Sequence, residues 1–154
     1  MTNNYFKEMI RLADSIADQA HSGQTDKIGR PYITHPRRVA FAVHKLAPEN
    51  MRVEAQIVAL LHDTVEDTGV TLDYLARYFS VSIVDAVDAL TKRKGETLEQ
   101  SIARVRANEL ARLVKHADIA DNTDPERTAL LDEETRERLA KKYAKSLTLL
   151  SLGE

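Results

Sequence analysis

Apolar residues recur at helical spacing along almost the whole chain. Phe6, Met9, Ile10, Ala13, Ile16, Ala17 and Ala20 share one face of a helix over about residues 3 to 21. The next stretch, SGQTDKIGRPYITHP, holds two of the five glycines and two of the four prolines and reads as a loop. A second helix begins at Thr34 or His35, with Pro36 in its first turn, where a missing N–H costs nothing. Its inner face carries Val39, Ala40, Val43 and Leu46 until APEN ends it. A third helix is expected from about Met51 to Asp67, with Val53, Ile57, Leu60 and Leu61 inward and Thr68-Gly69 as its stop. Thr71 can cap a short helix bearing Leu72, Leu75, Ala76 and Phe79. Ser82-x-x-Asp85 resembles a capping box for one bearing Val84, Val87 and Leu90. Thr97-x-x-Gln100 is another such box, opening a segment from Leu98 to about Asn122 with a break near Asn108. DNTDPERT reads as a turn before a last amphipathic helix with Leu139, Tyr143 and Leu147. No repeat, low-complexity tract or convincing strand interrupts this pattern, which predicts one all-α domain over residues 1–154.

At 154 residues such a domain buries roughly 70% of the surface its unfolded form exposes. The balance of 22 Lys and Arg against 24 Asp and Glu gives a net charge of −2, which argues against a general polyanion binder. The chain has no cysteine, so any metal must be held by histidine, carboxylate and water. No uninterrupted apolar run is longer than Ile57 to Leu61, and MTNNYFKEMIRL lacks a secretory apolar stretch. A soluble cytoplasmic protein is therefore expected, with neither nucleic acid nor a membrane as partner.

The chemistry concentrates in ALLHDTVEDT, residues 59–68, where an apolar run gives way to His62, Asp63, Glu66 and Asp67. Charge beside a core is costly unless it is paired, and acids at a helix C-terminus oppose the macrodipole. The arrangement points to a compensating cation or substrate. On a continuous helix His62 stacks beneath Glu66 and Asp63 beneath Asp67. One ion is expected between His62 and Asp63, with Glu66 and Asp67 about 6 Å further along to hold a water or a substrate proton. Asp118 and Asn122 repeat the four-residue spacing in KHADIADN, and His35 ends the glycine-bearing loop. Singly, a His-Asp pair is an ordinary surface contact, His35 a cap or core residue and Asp118 a helix-surface acid. Adding Glu66 and Asp67 changes that reading. His21, His44 and His116 are read as structural, His116 being a minor candidate for the site.

YITHP, then ALLHDTVEDT, then VKHADIADN together resemble the HD-domain metal-dependent phosphohydrolases. The resemblance is closest to the small alarmone hydrolases, stand-alone domains that hydrolyse guanosine tetraphosphate and pentaphosphate. It implies an all-helical HD-domain bundle and one divalent ion held by His35, His62, Asp63 and Asp118. It further implies Glu66 and Asp67 as the acid pair, Asn122 as a substrate contact, and release of pyrophosphate from the ribose 3′ position. On that resemblance, two imidazoles and two carboxylates leave room for water in an octahedral shell, a set suited to Mn2+. Lys27, Arg30, Lys115 and Lys142 are expected to neutralise substrate phosphates.

The chain departs from the family pattern in two places. Family members usually carry two basic residues before the GxPY turn, packed against guanine, where this chain has Asp26-Lys27. The later motif usually reads Ala-Asp-Arg-Leu-His-Asn, but Ile119 stands at the arginine position and Asp121 at the histidine position. Both changes spare the metal ligands and bear on base recognition. The expected partner is a phosphorylated nucleotide, the oligomeric state stays open, and a homodimer is compatible. Two alternatives remain. One is an HD-domain phosphohydrolase acting on a nucleoside monophosphate, deoxynucleotide or dinucleotide cofactor; the other is a nucleotide-binding sensor without turnover.

Overall fold

The structure is a computed structural model in which residues 2–154 are described. The chain runs through α1 (Thr2–Ala20), α2 (Thr34–Leu46), a 3-10 turn (Glu49–Met51), α3 (Arg52–Leu61) and α4 (Thr64–Asp67). It continues through α5 (Leu72–Ala76), α6 (Val81–Leu90), α7 (Leu98–Arg106), α8 (Glu109–Asn122), α9 (Pro125–Thr128) and α10 (Glu133–Leu150). Among the described residues there is no strand, only an isolated antiparallel bridge between Thr25 and Pro31. The all-α expectation holds. No described helix is long and apolar enough to cross a membrane.

Helix α3 is the axis of the core. Ala55, Ile57, Val58, Ala59, Leu60 and Leu61 are all buried, so α3 needs neighbours on every side. Helices α1, α2, α6 and α8 supply them, and α10 packs across α7 and α8. The expected caps at Thr71 and Thr97 form. Thr71 Oγ1 accepts from Tyr74 N, and Thr97 and Gln100 exchange both hydrogen bonds of a capping box. The break near Asn108 is real, because its side chain accepts from Ala111 N and starts α8 afresh.

Several expectations are corrected. The third helix does not reach Asp67 unbroken, since it ends at Leu61 and restarts at Thr64. Ser82 does not cap α6: Ser80 holds the N-cap position, while Ser82 Oγ donates to Glu54 Oε2 at 2.7 Å. DNTDPERT contains a helical turn, α9, capped by Asp124 with Pro125 just inside it. Phe6, Leu46 and Leu147, expected inward, are exposed, and Leu150 is buried in the last turn of α10 instead. Helical period identifies a face but not how far along the helix the neighbouring elements extend.

Candidate metal centre and active-site cavity

The loop before α2 is built to hold two rings in place. Asp26 Oδ1 accepts from the backbone N–H groups of Ile28 and Arg30 at 3.0 and 2.9 Å. Gly29 takes a φ of +85° to close that turn, a conformation costly for a side-chain-bearing residue. Tyr32 N donates back to Gln24 O, so Tyr32 leaves the loop in a fixed direction and His35 falls in the first turn of α2.

The break between α3 and α4 does the same for His62 and Asp63. His62 Nδ1–H donates to Ala59 O at 2.6 Å and Thr64 Oγ1 to Leu61 O at 2.8 Å, satisfying carbonyls that the interrupted helix leaves free. Successive residues on an unbroken helix point roughly 100° apart. Here Asp63 Oδ2 comes back to 3.1 Å from His62 Nε2.

All four expected metal ligands converge. His35 Nε2 lies 2.9 Å from Asp118 Oδ1 and 3.8 Å from Asp63 Oδ2, while His62 Nε2 lies 3.4 Å from Asp118 Oδ1. One ligand atom from each of His35, His62 and Asp118 falls within 4.8 Å of the others, with all three residues buried. His62 Nε2 is buried without a hydrogen-bond partner, although its ring is oriented by the bond at Nδ1. An unpartnered imidazole nitrogen facing two carboxylates is a donor set that fits a divalent cation.

The two carboxylates of the cluster are held ionised. Burial would raise Asp63, but the His62 imidazole beside it holds it at about 2. Burial opposes ionisation of Asp118 too, yet Lys115, His35 and His62 hold it well below the carboxylate range. Burial also opposes charge on His62, which Asp63 and Asp118 outweigh, raising it well above the usual histidine range. Tyr32 O–H donates to Asp63 Oδ2 at 2.5 Å, a contact missed in the sequence although Tyr32 lies within the GRPY turn.

Beyond these four side chains opens a cavity of about 540 Å3. Glu66 and Asp67 line it, as do Lys27, Lys115, Asn122 and Lys142; Arg30 is exposed and does not. Glu66 Oε1 accepts from Lys92 N at 2.6 Å. Asp67 is raised by burial and by the neighbouring charges of Asp63 and Glu66. Lys115 Nζ donates to Asp118 Oδ2 at 3.2 Å and Asn122 Nδ2 to Asp118 Oδ1 at 3.1 Å. Both side chains thus brace Asp118 as well as facing the cavity. Lys142 is lowered by burial and by the charges of Lys115, Lys27 and Lys92. Four lysines from four segments therefore crowd one volume. The charged residues missed in the sequence here are Lys92, Arg38, Arg127 and Arg138, which line the cavity, and Asp121 behind His35. Only Asp121 had a signal, since it lies three residues beyond Asp118 on the same face of α8.

The family described as "HD domain" matches residues 13–145. The chain belongs to the HD-domain family. A "Probable GTP pyrophosphokinase" of Mycobacterium leprae is 35% identical over a match covering 86% of this chain and 18% of that protein. A "Guanosine-3′,5′-bis(diphosphate) 3′-pyrophosphohydrolase" of Aquifex aeolicus is 33% identical, over 87% of this chain and 20% of that protein. The HD-domain chain thus spans about a fifth of the length of these curated relatives. Its fold matches the solved structure titled "A metazoan ortholog of SpoT hydrolyzes ppGpp and plays a role in starvation responses". The TM-score is 0.75 at 22% identity, covering 93% of this chain and 85% of that one.

Proposed function

We propose that this HD domain hydrolyses guanosine tetraphosphate and pentaphosphate, releasing pyrophosphate from the ribose 3′ position. The observation that carries the reading is the joining, in one cavity, of four metal donors, two further acids and several cations. The names borne by the Mycobacterium leprae and Aquifex aeolicus relatives support guanosine polyphosphate as the substrate class.

His35, His62, Asp63 and Asp118 would hold one divalent ion, with Mn2+ favoured by two imidazoles, two carboxylates and room for water. Such an ion supplies Lewis-acid and water-activating chemistry. Tyr32 orients Asp63. Lys115 and Asn122 keep both oxygens of Asp118 directed, and Lys27, Lys92 and Lys142 offset the substrate's phosphate charge. Asp67, whose carboxyl burial and the neighbouring charges of Asp63 and Glu66 push up from its ordinary value, is suited to exchange a proton with the substrate, and Glu66 is its partner. In the reaction a water oxygen bonds to the 3′ phosphorus and the bond from that phosphorus to the ribose oxygen breaks. One water proton passes to the acid pair, a proton from the pair reaches the 3′ oxygen, and pyrophosphate leaves.

A second reading is favoured by the two departures from the family pattern. Ile119 is buried in the core and Asp121 is engaged by His35, so neither is free to contact a base. Asp26 is committed to two loop N–H groups. A different phosphorylated nucleotide fits that arrangement. A panel of nucleotides incubated with manganese-loaded protein, with pyrophosphate and orthophosphate both measured, tests the proposal. Pyrophosphate from guanosine tetraphosphate supports it, and orthophosphate from another nucleotide replaces it with the second reading.

A further inference from the structure

His35 and His62 present the same nitrogen to the site by different means. His62 commits Nδ1–H to a backbone carbonyl, that of Ala59. The ring of His35 meets a charged acceptor, with Nδ1 2.6 Å from Asp121 Oδ2. Asp121 is nearly buried and is gripped from two sides. Arg38 reaches it with Nε at 2.9 Å from Oδ1 and its terminal nitrogen at 3.2 Å from Oδ2. Arg127 approaches Oδ1 at 3.0 Å.

We propose that Asp121 is a positioning residue for His35, accepting its Nδ1–H so that Nε2 is turned toward the metal site, with Arg38 and Arg127 clamping the carboxylate in place. This inference rests on the metal-site reading above. A neutral imidazole has one N–H; once Nδ1 holds it, Nε2 carries the lone pair and can be a ligand. A carboxylate behind a ligating imidazole fixes the ring and makes it a stronger donor. Two guanidinium groups keep that carboxylate ionised. Helix α8 therefore supplies one ligand, Asp118, and, one turn later, the group behind another. The same contact accounts for an aspartate where the resemblance leads one to expect histidine: a neutral imidazole could not bring a full negative charge to the ring of His35 and to two arginines.

Calorimetric titration of metal-free protein with Mn2+, paired with metal-free melting temperatures, tests the assignment. Asp121→Ala should weaken Mn2+ binding tenfold to about a hundredfold. Asp121→Asn, which keeps an acceptor oxygen but no charge, should fall between it and wild type. A residue that merely supported the fold would lower the melting temperature and leave the affinity of the folded protein unchanged, and that result overturns the proposal. If both variants fail to fold, Arg38→Gln removes one side of the clamp. A severalfold weaker affinity is then expected, and wild-type affinity overturns the proposal. Wild-type protein that binds no divalent ion overturns the metal-site reading itself, an outcome distinct from equal binding by wild type and variants.

Discussion

The backbone N–H of Lys92 donates to Oε1 of Glu66 at 2.6 Å, tying the loop after α6 to an acid in α4. That loop is fixed in turn by Arg104, which reaches Asp88 O at 3.0 Å, Thr91 O at 2.8 Å and Glu96 Oε2 at 2.7 Å. Glu66 is thus placed by protein groups rather than by the metal donors. Glu66→Gln keeps an oxygen for Lys92 N–H and should retain metal, yet lose turnover by about a hundredfold or more. Asp67→Asn should behave alike. Unchanged turnover in both, measured at matched metal content, removes the acid pair from the chemistry.

Metal binding should stabilise the fold, because the donors come from α2, from the α3–α4 break and from α8. An ion present at about a hundred times its dissociation constant adds about 2.7 kcal/mol. Chelator should lower the melting temperature of wild type and leave His62→Ala and Asp118→Ala unmoved. Full metal occupancy in both variants, by elemental analysis, would reject the ligand set.

The Arg104–Glu96 pair carries a pH dependence of stability. The Arg104 guanidinium, helped by Arg93 N–H, holds Glu96 at about 2, below the ordinary glutamate value of 4.5. A depressed folded pKa contributes stability that is fully present above about 4.5 and is lost as pH falls toward 2. Glu96→Gln should therefore be less stable at pH 7 and should lose less than wild type between pH 5 and pH 2. Denaturant melts across that range check it, and parallel curves for the two proteins would refute it.

The helices were legible because most carry an apolar stripe, and the cluster at His62-Asp63 because uncompensated charge beside a core is costly; His35 and Asp118 were drawn to it by the family resemblance. The break at those two residues was not legible. Apolar period continues through Ile57, Leu60 and Leu61 and says nothing of side chains that take over backbone bonds, as His62 and Thr64 do for Ala59 and Leu61. Asp121 was visible as a departure but not as a contact, since its partners His35, Arg38 and Arg127 lie on α2 and α9. Long-range pairing leaves no mark in local spacing.

Asp26 sits where the resemblance places a base-stacking cation, but its carboxylate holds the loop that carries Tyr32. Asp26→Ala frees two N–H groups and should cost about 1–3 kcal/mol of stability, while raising the Michaelis constant as the loop loosens. Asp26→Asn keeps the acceptor and should stay near wild type in both. Equal behaviour of the two variants, in melts and kinetics, would show that the Oδ1 contacts do not order the loop.

Metal-dependent cleavage at the 3′ phosphate can be followed by 31P NMR of guanosine tetraphosphate incubated with manganese-loaded protein. Two products, inorganic pyrophosphate and guanosine diphosphate, should appear together, and their formation should stop on chelation. Accumulation of orthophosphate, or turnover that persists without metal, would contradict it.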